Sequence, residues 1–301
     1  MLRVRFSEKS KQCIVTENNV QNYYELIDKQ CLDIFLPTHR DYIIVEEHEP
    51  ADICIVGIQH TDNSLLRENE FNIFLSLENF SAGRSHYQHF NKFGRFNNPM
   101  IKLYIYNDIC IPKENVIPVL YQRINYFNRI KNNYNDLNIP FREKKFCLFT
   151  SRNLLNHNKQ GILTALQKLG HIDTLDNYNL IVKNKSCYNS IELLRIYNQY
   201  KFVIAFENSK SQGYITEKIF NVFLAKSIPI YDGDPRISDV INTSSFLQYD
   251  DRIIQKVQML MNNEKLYNSI IEKEKTKELD YTFINDNFDR LLSDVQKAKN
   301  L

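Results

Sequence analysis

Ionisable and polar side chains cluster in one short stretch of this chain, between an apolar segment and a helical pattern. The apolar segment, residues 202–206, is typical of a buried parallel strand, and the helical pattern continues from 219 to 224. The polar side chains between them are Glu207, Asn208, Tyr214, Thr216, Glu217 and Lys218. In open α/β sheets, ligands bind where a strand hands over to a helix. The stretch therefore predicts a ligand site rather than packing.

Lys218 is the residue with the clearest chemistry, because it lies in the first turn of the predicted helix. A cation and a helix N-terminus together stabilise the negative charge on a departing phosphate. Glu217, its neighbour, can accept hydrogen bonds from ligand hydroxyl groups. The alternatives are a surface lysine paired with a carboxylate, and a glutamate that stabilises the start of its helix.

The motif around these residues resembles a known signature. FENS at 206–209, GYITEKI at 213–219 and IPIY at 228–231 are similar, without a gap, to the donor-binding segment of the α-1,3-fucosyltransferases, glycosyltransferase family ten, bacterial type. The resemblance implies an inverting enzyme that transfers L-fucose from GDP-β-L-fucose to a glycan hydroxyl, such as O-3 of GlcNAc. It also implies a role in lipopolysaccharide, surface-glycan or protein glycosylation, with GDP-fucose as co-substrate and no other cofactor.

The resemblance also assigns roles to individual residues. It implies a pyrophosphate contact for Lys218 and donor contacts for Glu217, Asn208, Tyr214 and Thr216. For Glu207 it leaves two roles open, support of the loop or contact with the sugar. The residue types alone are equally compatible with an Asx turn at Asn208 and a packed aromatic ring at Tyr214.

A second basic position follows a predicted strand at 145–150. In the family, a basic residue at the head of the next helix binds the pyrophosphate, and that position falls on Lys159, where arginine is usual. Lysine supplies the charge but not the bidentate geometry of a guanidinium group. Arg152, earlier in the same loop, is the second candidate. An ordinary solvated helix start is the alternative for each of them.

A carboxylate also follows a predicted strand in the first half of the chain. The family carries a glutamate–asparagine pair here, and Glu78 and Asn79 match it, with Leu77 in place of the usual glycine. The resemblance implies that Glu78 is the general base for the acceptor hydroxyl, an effect worth about 10²–10⁴-fold in rate. A capping carboxylate is the alternative. Tyr87 and Phe90 are acceptor-side aromatics by resemblance, or core residues.

Asp232-Gly233-Asp234 supports a competing interpretation, because an apolar strand that ends in Asp-x-Asp is typical of metal-dependent glycosyltransferases. In family ten a tryptophan usually stands at the position of Asp232, and a glycine and a proline follow, as Gly233 and Pro235 do here. We therefore interpret the run as a variant of that turn, with no metal. The substitution keeps open a different deoxy- or aminosugar nucleotide as donor, and a non-catalytic glycan- or nucleotide-binding module is the other alternative.

Composition bounds the class of protein. The 301 residues, 43% hydrophobic and 25% charged, suffice for two globular domains. A net charge of +2 predicts no nucleic-acid partner. No window reaches the ~20 apolar residues of a membrane helix, and residues 1–6 contain no signal-peptide core, so we expect a cytoplasmic protein. Peripheral membrane association and oligomeric state stay open. Cysteines and histidines lack metal-ligand spacing, so no metal site is expected.

Strand and helix patterns alternate along the chain, which predicts mostly parallel, doubly wound sheets. Strands are predicted at 41–46, 51–57, 72–77, 100–106, 145–150, 202–206, 227–231 and 246–249. Helices are predicted at 20–34, 119–130, 159–169, 190–200, 214–226, 252–262, 264–275 and 284–301.

A polar break at 131–140 predicts two domains, an acceptor-side domain at 1–136 and a nucleotide-sugar domain at 137–301. With the resemblance, this pattern implies the glycosyltransferase B fold, in which two Rossmann-like α/β domains face a cleft.

Overall fold

The chain forms two compact units, each built on its own parallel sheet. The computed structural model describes residues 2–6, 42–46, 48–57, 70–75, 101–105, 116–118, 124, 127–128, 130–150, 157–175, 191–278, 293 and 296–297. One unit comprises Met1–Gln122 with Asp280–Leu301, and the other comprises Arg123–Leu279.

The first unit contains a six-stranded sheet. Its strands are β1 (Leu2–Phe6), β2 (Tyr42–Ile44), β3 (Ile53–Gly57), β4 (Phe71–Leu75), β5 (Ile101–Ile105) and β6 (Val116–Pro118). They pair in parallel in the order β2-β1-β3-β4-β5-β6. Val4 and Cys54 are fully buried in this sheet. Arg5 is also buried, because its guanidinium group pairs with Glu70 at 2.5 Å.

The second unit contains a five-stranded sheet, also parallel throughout. Its strands are β7 (Lys145–Phe149), β8 (Ile172–Thr174), β9 (Tyr200–Phe206), β10 (Ile228–Asp232) and β11 (Leu247–Gln248). Their order is β11-β10-β9-β7-β8, so the direction in which strands are added reverses between β7 and β9. Such a reversal is the usual ligand position of a doubly wound sheet.

Among the described residues, five helices lie against this second sheet. They are α1 (His157–Leu166), α2 (Ile191–Asn198), α3 (Glu217–Leu224), α4 (Ile253–Met261) and α5 (Glu264–Ile271). Helices α1, α4 and α5 bury apolar side chains against Phe202 and Ile204, while α2 and α3 pack on each other and on β9. Short 3-10 helices lie at Lys131–Tyr134, Phe141–Glu143, Ile237–Asp239 and Thr243–Ser245.

The strand-and-helix alternation predicted from the sequence is confirmed in the described residues, with differences at element ends. The helix predicted at 214–226 begins only at Glu217, because Thr216 has an extended backbone and caps the helix with its hydroxyl oxygen. Strands β1, β6 and β8 were not predicted. The predicted helix at 20–34 lies outside the described residues.

The second unit starts earlier than the boundary predicted after residue 136. Phe127 is buried in this unit, and its ring lies 5.5 Å from that of Phe220 and 6.0 Å from that of Phe223, both on α3. This packing draws the chain before the polar break into the second unit, whereas Asp280–Leu301 groups with the first.

Lys144, just before β7, makes the stability of this unit depend on pH. Its ammonium nitrogen donates to the carbonyl oxygens of Asn198, at 2.5 Å, and Lys226, at 3.1 Å. Burial, helped by the charge of Lys226, lowers the pKa of Lys144 to about 7. The unfolded chain, with the ordinary pKa of 10.5, therefore binds more protons between pH 7 and 10.5. The free energy of unfolding must rise with pH in that window.

We expect the free energy of unfolding to increase from pH 7 to pH 9 by about 1–2 kcal/mol more in the wild type than in Lys144→Met. Denaturant titrations at the two pH values measure this difference. Burial lowers the pKa of Lys275 to about 8, so this residue also makes the free energy of unfolding rise with pH, equally in both proteins. Lys256→Met, at a half-exposed lysine, is the control and should keep the wild-type slope. Equal slopes in wild type and Lys144→Met would contradict the assignment.

Candidate active site

The site is built where β9 ends, and Glu207 is its first residue. The Glu207 amide donates to the carbonyl oxygen of Asp232 at 2.8 Å, which continues the pairing of β9 with β10. Its carboxylate turns inward, where Oε1 accepts from the Thr216 amide and Oε2 from the Thr216 hydroxyl, both at 2.7 Å. Glu207 thus joins the two ends of the loop 208–215.

Lys218, the second residue of α3, lies against this carboxylate. Its Nζ is 3.2 Å from Glu207 Oε2, 3.0 Å from Thr216 Oγ1 and 3.7 Å from the Glu217 carboxylate. The lysine side chain is 18% exposed, whereas that of Glu207 is fully buried. A partly buried ammonium group therefore lies beside the first turn of α3, where the backbone amides also favour an anion.

The ion pair shifts the pKa of both partners. Burial disfavours the charged lysine, but the carboxylates of Glu207 and Glu217 outweigh it and hold the pKa of Lys218 above its usual value. Burial raises the pKa of Glu207, and the nearby charge of Glu217 acts in the same direction, while Lys218 and the Thr216 hydrogen bonds oppose it. Lys218 is thus a permanent cation at neutral pH, which suits a phosphate ligand.

The turn after β10 supports the loop from the other side. Asp234 Oδ2 accepts from the Gly213 amide at 2.7 Å, and Oδ1 accepts from the Arg236 amide at 2.8 Å. Asp232 is buried and pairs with the exposed Lys210 at 2.5 Å. Burial raises the pKa of Asp234. Asp234 therefore holds the loop 208–215 at Gly213. The φ of Gly213 is 79°, a backbone conformation that favours glycine.

These contacts bear on the Asp-x-Asp interpretation. Both oxygens of Asp234 already accept backbone hydrogen bonds, and Asp232 faces a lysine. Among the described residues, no group of three or more His, Cys, Asp or Glu side chains is arranged to hold a metal ion. The interpretation as a turn fits these contacts, and the expectation that no divalent cation is needed stays a prediction.

The structure brings together four of the predicted site residues and places two others nearby. Glu207, Thr216, Glu217 and Lys218 form one contact group. Asn208 is exposed and Tyr214 is buried, with 1% of its surface exposed.

The remaining predicted site residues lie partly or wholly outside the described residues. Lys159 lies in the first turn of α1, as predicted, but its side chain is outside the described residues. Arg152, Glu78, Asn79, Tyr87 and Phe90 also lie outside the described residues, and their roles stay predictions.

Sequence reasoning missed Tyr231 and the bracing role of Asp234. Tyr231 Oη accepts a hydrogen bond from the Asp234 amide at 3.2 Å and lies beside Gly233, inside the turn. Asp234 and Gly213 are 21 residues apart, so no local spacing could have revealed their contact.

In the part of the chain that the structure describes, no helix has the length and apolar character to span a bilayer.

Comparison with known proteins identifies the family. The profile of the C-terminal region of glycosyltransferase family 10 (fucosyltransferase) matches residues 139–294, more than half of the chain. This region contains the whole site described above. The chain therefore belongs to glycosyltransferase family 10, and the predicted resemblance is confirmed.

Individual relatives are similar over parts of their length. A predicted fucosyltransferase, R654, of Acanthamoeba polyphaga mimivirus is 30% identical in a region that covers 74% of this chain and 37% of the length of the viral protein. An α-(1,3)-fucosyltransferase of Helicobacter pylori is 30% identical over 37% of this chain and 25% of its own. α-(1,3)-Fucosyltransferase B of Drosophila melanogaster is 34% identical over 32% of this chain and 25% of its own. The matched regions thus span between 25% and 37% of the length of these relatives.

Solved structures extend the similarity to the fold of the whole chain. Crystal structures of an α1,3-fucosyltransferase with GDP and without it match all of this chain and 90% of theirs, with TM-scores of 0.61 and 0.63 and 17% identity. The complex with GDP-fucose matches with a TM-score of 0.60. The predicted fold class, two doubly wound Rossmann-like domains of the glycosyltransferase B type, is confirmed.

Proposed function

We propose that this protein transfers L-fucose from GDP-β-L-fucose to a hydroxyl group of a glycan acceptor, with inversion at the anomeric carbon. The observation that carries the proposal is the ammonium group of Lys218, held by Glu207 at the N-terminus of α3 in a member of this family. Solved relatives of the same fold contain GDP and GDP-fucose.

Lys218 is assigned to the diphosphate of the donor. When the bond between the sugar and the diphosphate breaks, negative charge grows on the departing phosphate, and a nearby cation with a helix N-terminus stabilises it. Lys159 and Arg152 are proposed as further diphosphate ligands. Glu217, Asn208, Tyr214 and Thr216 are proposed to place the sugar and nucleotide. Because these groups supply the electrostatic stabilisation, we predict that no divalent cation is required.

Glu78 is proposed as the general base. It would take the proton from the acceptor hydroxyl as that oxygen bonds to the anomeric carbon and GDP leaves, so a β-linked donor gives an α-linked product. The acceptor is proposed to be O-3 of GlcNAc in a lipopolysaccharide or another surface glycan. The N-terminal unit is proposed to bind the acceptor, and the second unit the nucleotide sugar.

Calorimetry with GDP, UDP and GDP-fucose, each with and without EDTA, tests the donor. We expect GDP to bind at least about tenfold more tightly than UDP, which corresponds to about 1.4 kcal/mol, and EDTA to change neither affinity. A preference for UDP, or binding that EDTA abolishes, would refute the fucose assignment in favour of a metal-dependent enzyme. If no nucleotide binds, the non-catalytic module becomes the better interpretation.

Glu78→Gln separates donor binding from catalysis. The variant should bind GDP like the wild type and lose about 10²–10⁴-fold in kcat with N-acetyllactosamine as acceptor. An unchanged kcat would exclude Glu78 as the base. A lowered melting temperature with unchanged kcat per folded molecule would instead indicate a structural role.

A second candidate function is the same transfer with another GDP-activated deoxy- or aminosugar. Asp232 favours it, because the structure buries this carboxylate against Lys210 at the end of β10, where the family usually has tryptophan. A panel of GDP-sugars decides between the two candidates. Faster transfer from any other GDP-sugar than from GDP-fucose would support the second candidate.

A further inference from the structure

Of the two roles that the sequence leaves open for Glu207, its contacts favour support of the loop over contact with the sugar. Its side chain is fully buried. One carboxylate oxygen accepts from the Thr216 amide, and the other accepts from the Thr216 hydroxyl and from Lys218 Nζ. A carboxylate with both oxygens engaged inside the protein has little capacity left for a sugar hydroxyl.

Because of the position of Glu207 in the chain, these hydrogen bonds connect the end of β9 to the start of α3. Glu207 ends β9, and Thr216 directly precedes α3, so the carboxylate ties together the two ends of the loop 208–215. That loop carries Asn208 and Tyr214. The loop geometry and the direction of the lysine side chain therefore depend on one buried group.

Packing holds Glu207 in this orientation. A Cβ atom at Gly233 would lie 2.5 Å from Glu207 Cγ and 2.3 Å from Tyr231 Oη, so the turn after β10 presses on the glutamate side chain. The same turn holds the loop at Gly213 through Asp234. The end of β9, the loop 208–215 and the turn after β10 are thus held together by contacts that meet at Glu207.

Charge is the reason that a carboxylate is needed. The Lys218 side chain is 18% exposed, and without an anion to hold its ammonium group it would gain rotamer freedom that is lost again when a phosphate binds. The Glu207 carboxylate holds the ammonium group beside the α3 N-terminus before any ligand arrives. A glutamine at the same position has one acceptor oxygen and one NH2 group, so it could not accept from the Thr216 amide on one side and from Lys218 Nζ on the other.

We propose that Glu207 is a positioning residue: its buried carboxylate closes the loop 208–215 and presents the ammonium group of Lys218 to a diphosphate without contacting the donor itself. The diphosphate part of this inference rests on the proposed function. The closure of the loop does not, and it can be measured without any ligand.

Amide hydrogen exchange of the ligand-free protein tests the loop closure. In Glu207→Gln, peptides that cover 208–216 should exchange at least about tenfold faster than in the wild type, while peptides from β9 and β10 should be unchanged. Asp250→Asn makes the same chemical change at a half-exposed ion pair with Lys256 and is the control. Unchanged exchange of the loop in Glu207→Gln would overturn the inference.

GDP titration tests the link to Lys218 by a double-mutant cycle. Glu207→Gln should raise the Kd for GDP about tenfold in the wild-type background and less than about twofold in the Lys218→Met background. Equal losses in both backgrounds would mean that Glu207 affects GDP binding independently of Lys218, and would overturn the proposal that it presents the Lys218 ammonium group.

The proposal can still be tested if the wild type binds no GDP or if Glu207→Gln does not fold. If the wild type binds no GDP, the proposed function and the diphosphate part of the inference both fail, and hydrogen exchange still decides the loop closure. If Glu207→Gln does not fold, Thr216→Val replaces it, because it removes the hydroxyl shared by Glu207 and Lys218. Thr216→Ser should restore both the exchange rates and the Kd. A Thr216→Val protein with wild-type values would refute the proposal.

Discussion

Replacing Lys218 by methionine should raise the Kd for GDP and lower kcat/KM for GDP-fucose by about 10²–10³-fold, the loss usual when one group that stabilises transition-state charge is removed. Methionine keeps most of the side-chain volume, so the missing feature is the charge beside the first turn of α3. Calorimetry gives the Kd, and initial rates with N-acetyllactosamine as acceptor give kcat/KM.

The same substitution should also destabilise the protein, because it leaves Glu207 buried without its cation. Loss of one partner of a buried ion pair typically costs about 3–5 kcal/mol, so affinities must be measured where the variant is folded. Lys218→Met combined with Glu207→Gln removes both charges and should recover much of that stability without recovering GDP binding.

Lys256→Met is the matched control for Lys218→Met. This lysine also pairs with a carboxylate, that of Asp250 at 2.6 Å, but both side chains are more than one-third exposed. Such surface pairs contribute about 0–1 kcal/mol, and GDP affinity should be unchanged. If Lys218→Met bound GDP within about threefold of the wild type, under 1 kcal/mol, Lys218 would not be a diphosphate ligand.

The sequence predicted the second unit well, because its central strands are buried on both faces and read as apolar runs. Strand β9 is the clearest example, with Phe202 to Phe206 almost fully buried. Strand β8 has only three residues, of which only Ile172 is buried, and so short a segment shows no period.

Strand β1 was missed for a different reason. Leu2–Phe6 contains Arg3 and Arg5, and a buried arginine makes sense only once Glu70, 65 residues later, is seen to pair with it. Local hydropathy cannot anticipate such a partner. Strand β1 could therefore be recognised only in the structure, whereas β9 was evident from the sequence.

The site shows the same division between local and distant information. The motif predicted the identity and the helical position of Lys218, which the structure confirms as the second residue of α3. For Glu207 it left open whether the side chain supports the loop or contacts the sugar. The pairing of Glu207 with Thr216 and Lys218 depends on how the loop closes, which residue types alone do not specify.

Gly233→Ala should be the most damaging small substitution in the turn after β10. Its Cβ would lie 2.3 Å from Tyr231 Oη and 2.5 Å from Glu207 Cγ, closer than any normal contact, and both neighbours are buried. Overpacking of this kind costs about 1–3 kcal/mol, and in a domain of this size it lowers Tm by about 2–12 °C. Since the clash falls on Glu207 itself, the Kd for GDP should rise about tenfold or more, as misplaced binding groups lose affinity.

Gly161→Ala is the control, because it makes the same substitution where there is room. A Cβ at Gly161 would meet only Tyr249 Oη, at 3.6 Å, an ordinary contact, and the residue lies within α1. Alanine is the better helix former by about 1 kcal/mol, so this variant should be slightly more stable than the wild type and bind GDP normally. The two glycine variants should therefore shift Tm in opposite directions, and only Gly233→Ala should lose GDP affinity. A Gly233→Ala protein with wild-type Tm and Kd would show that the turn can yield without moving Glu207, which would remove the packing support for its role.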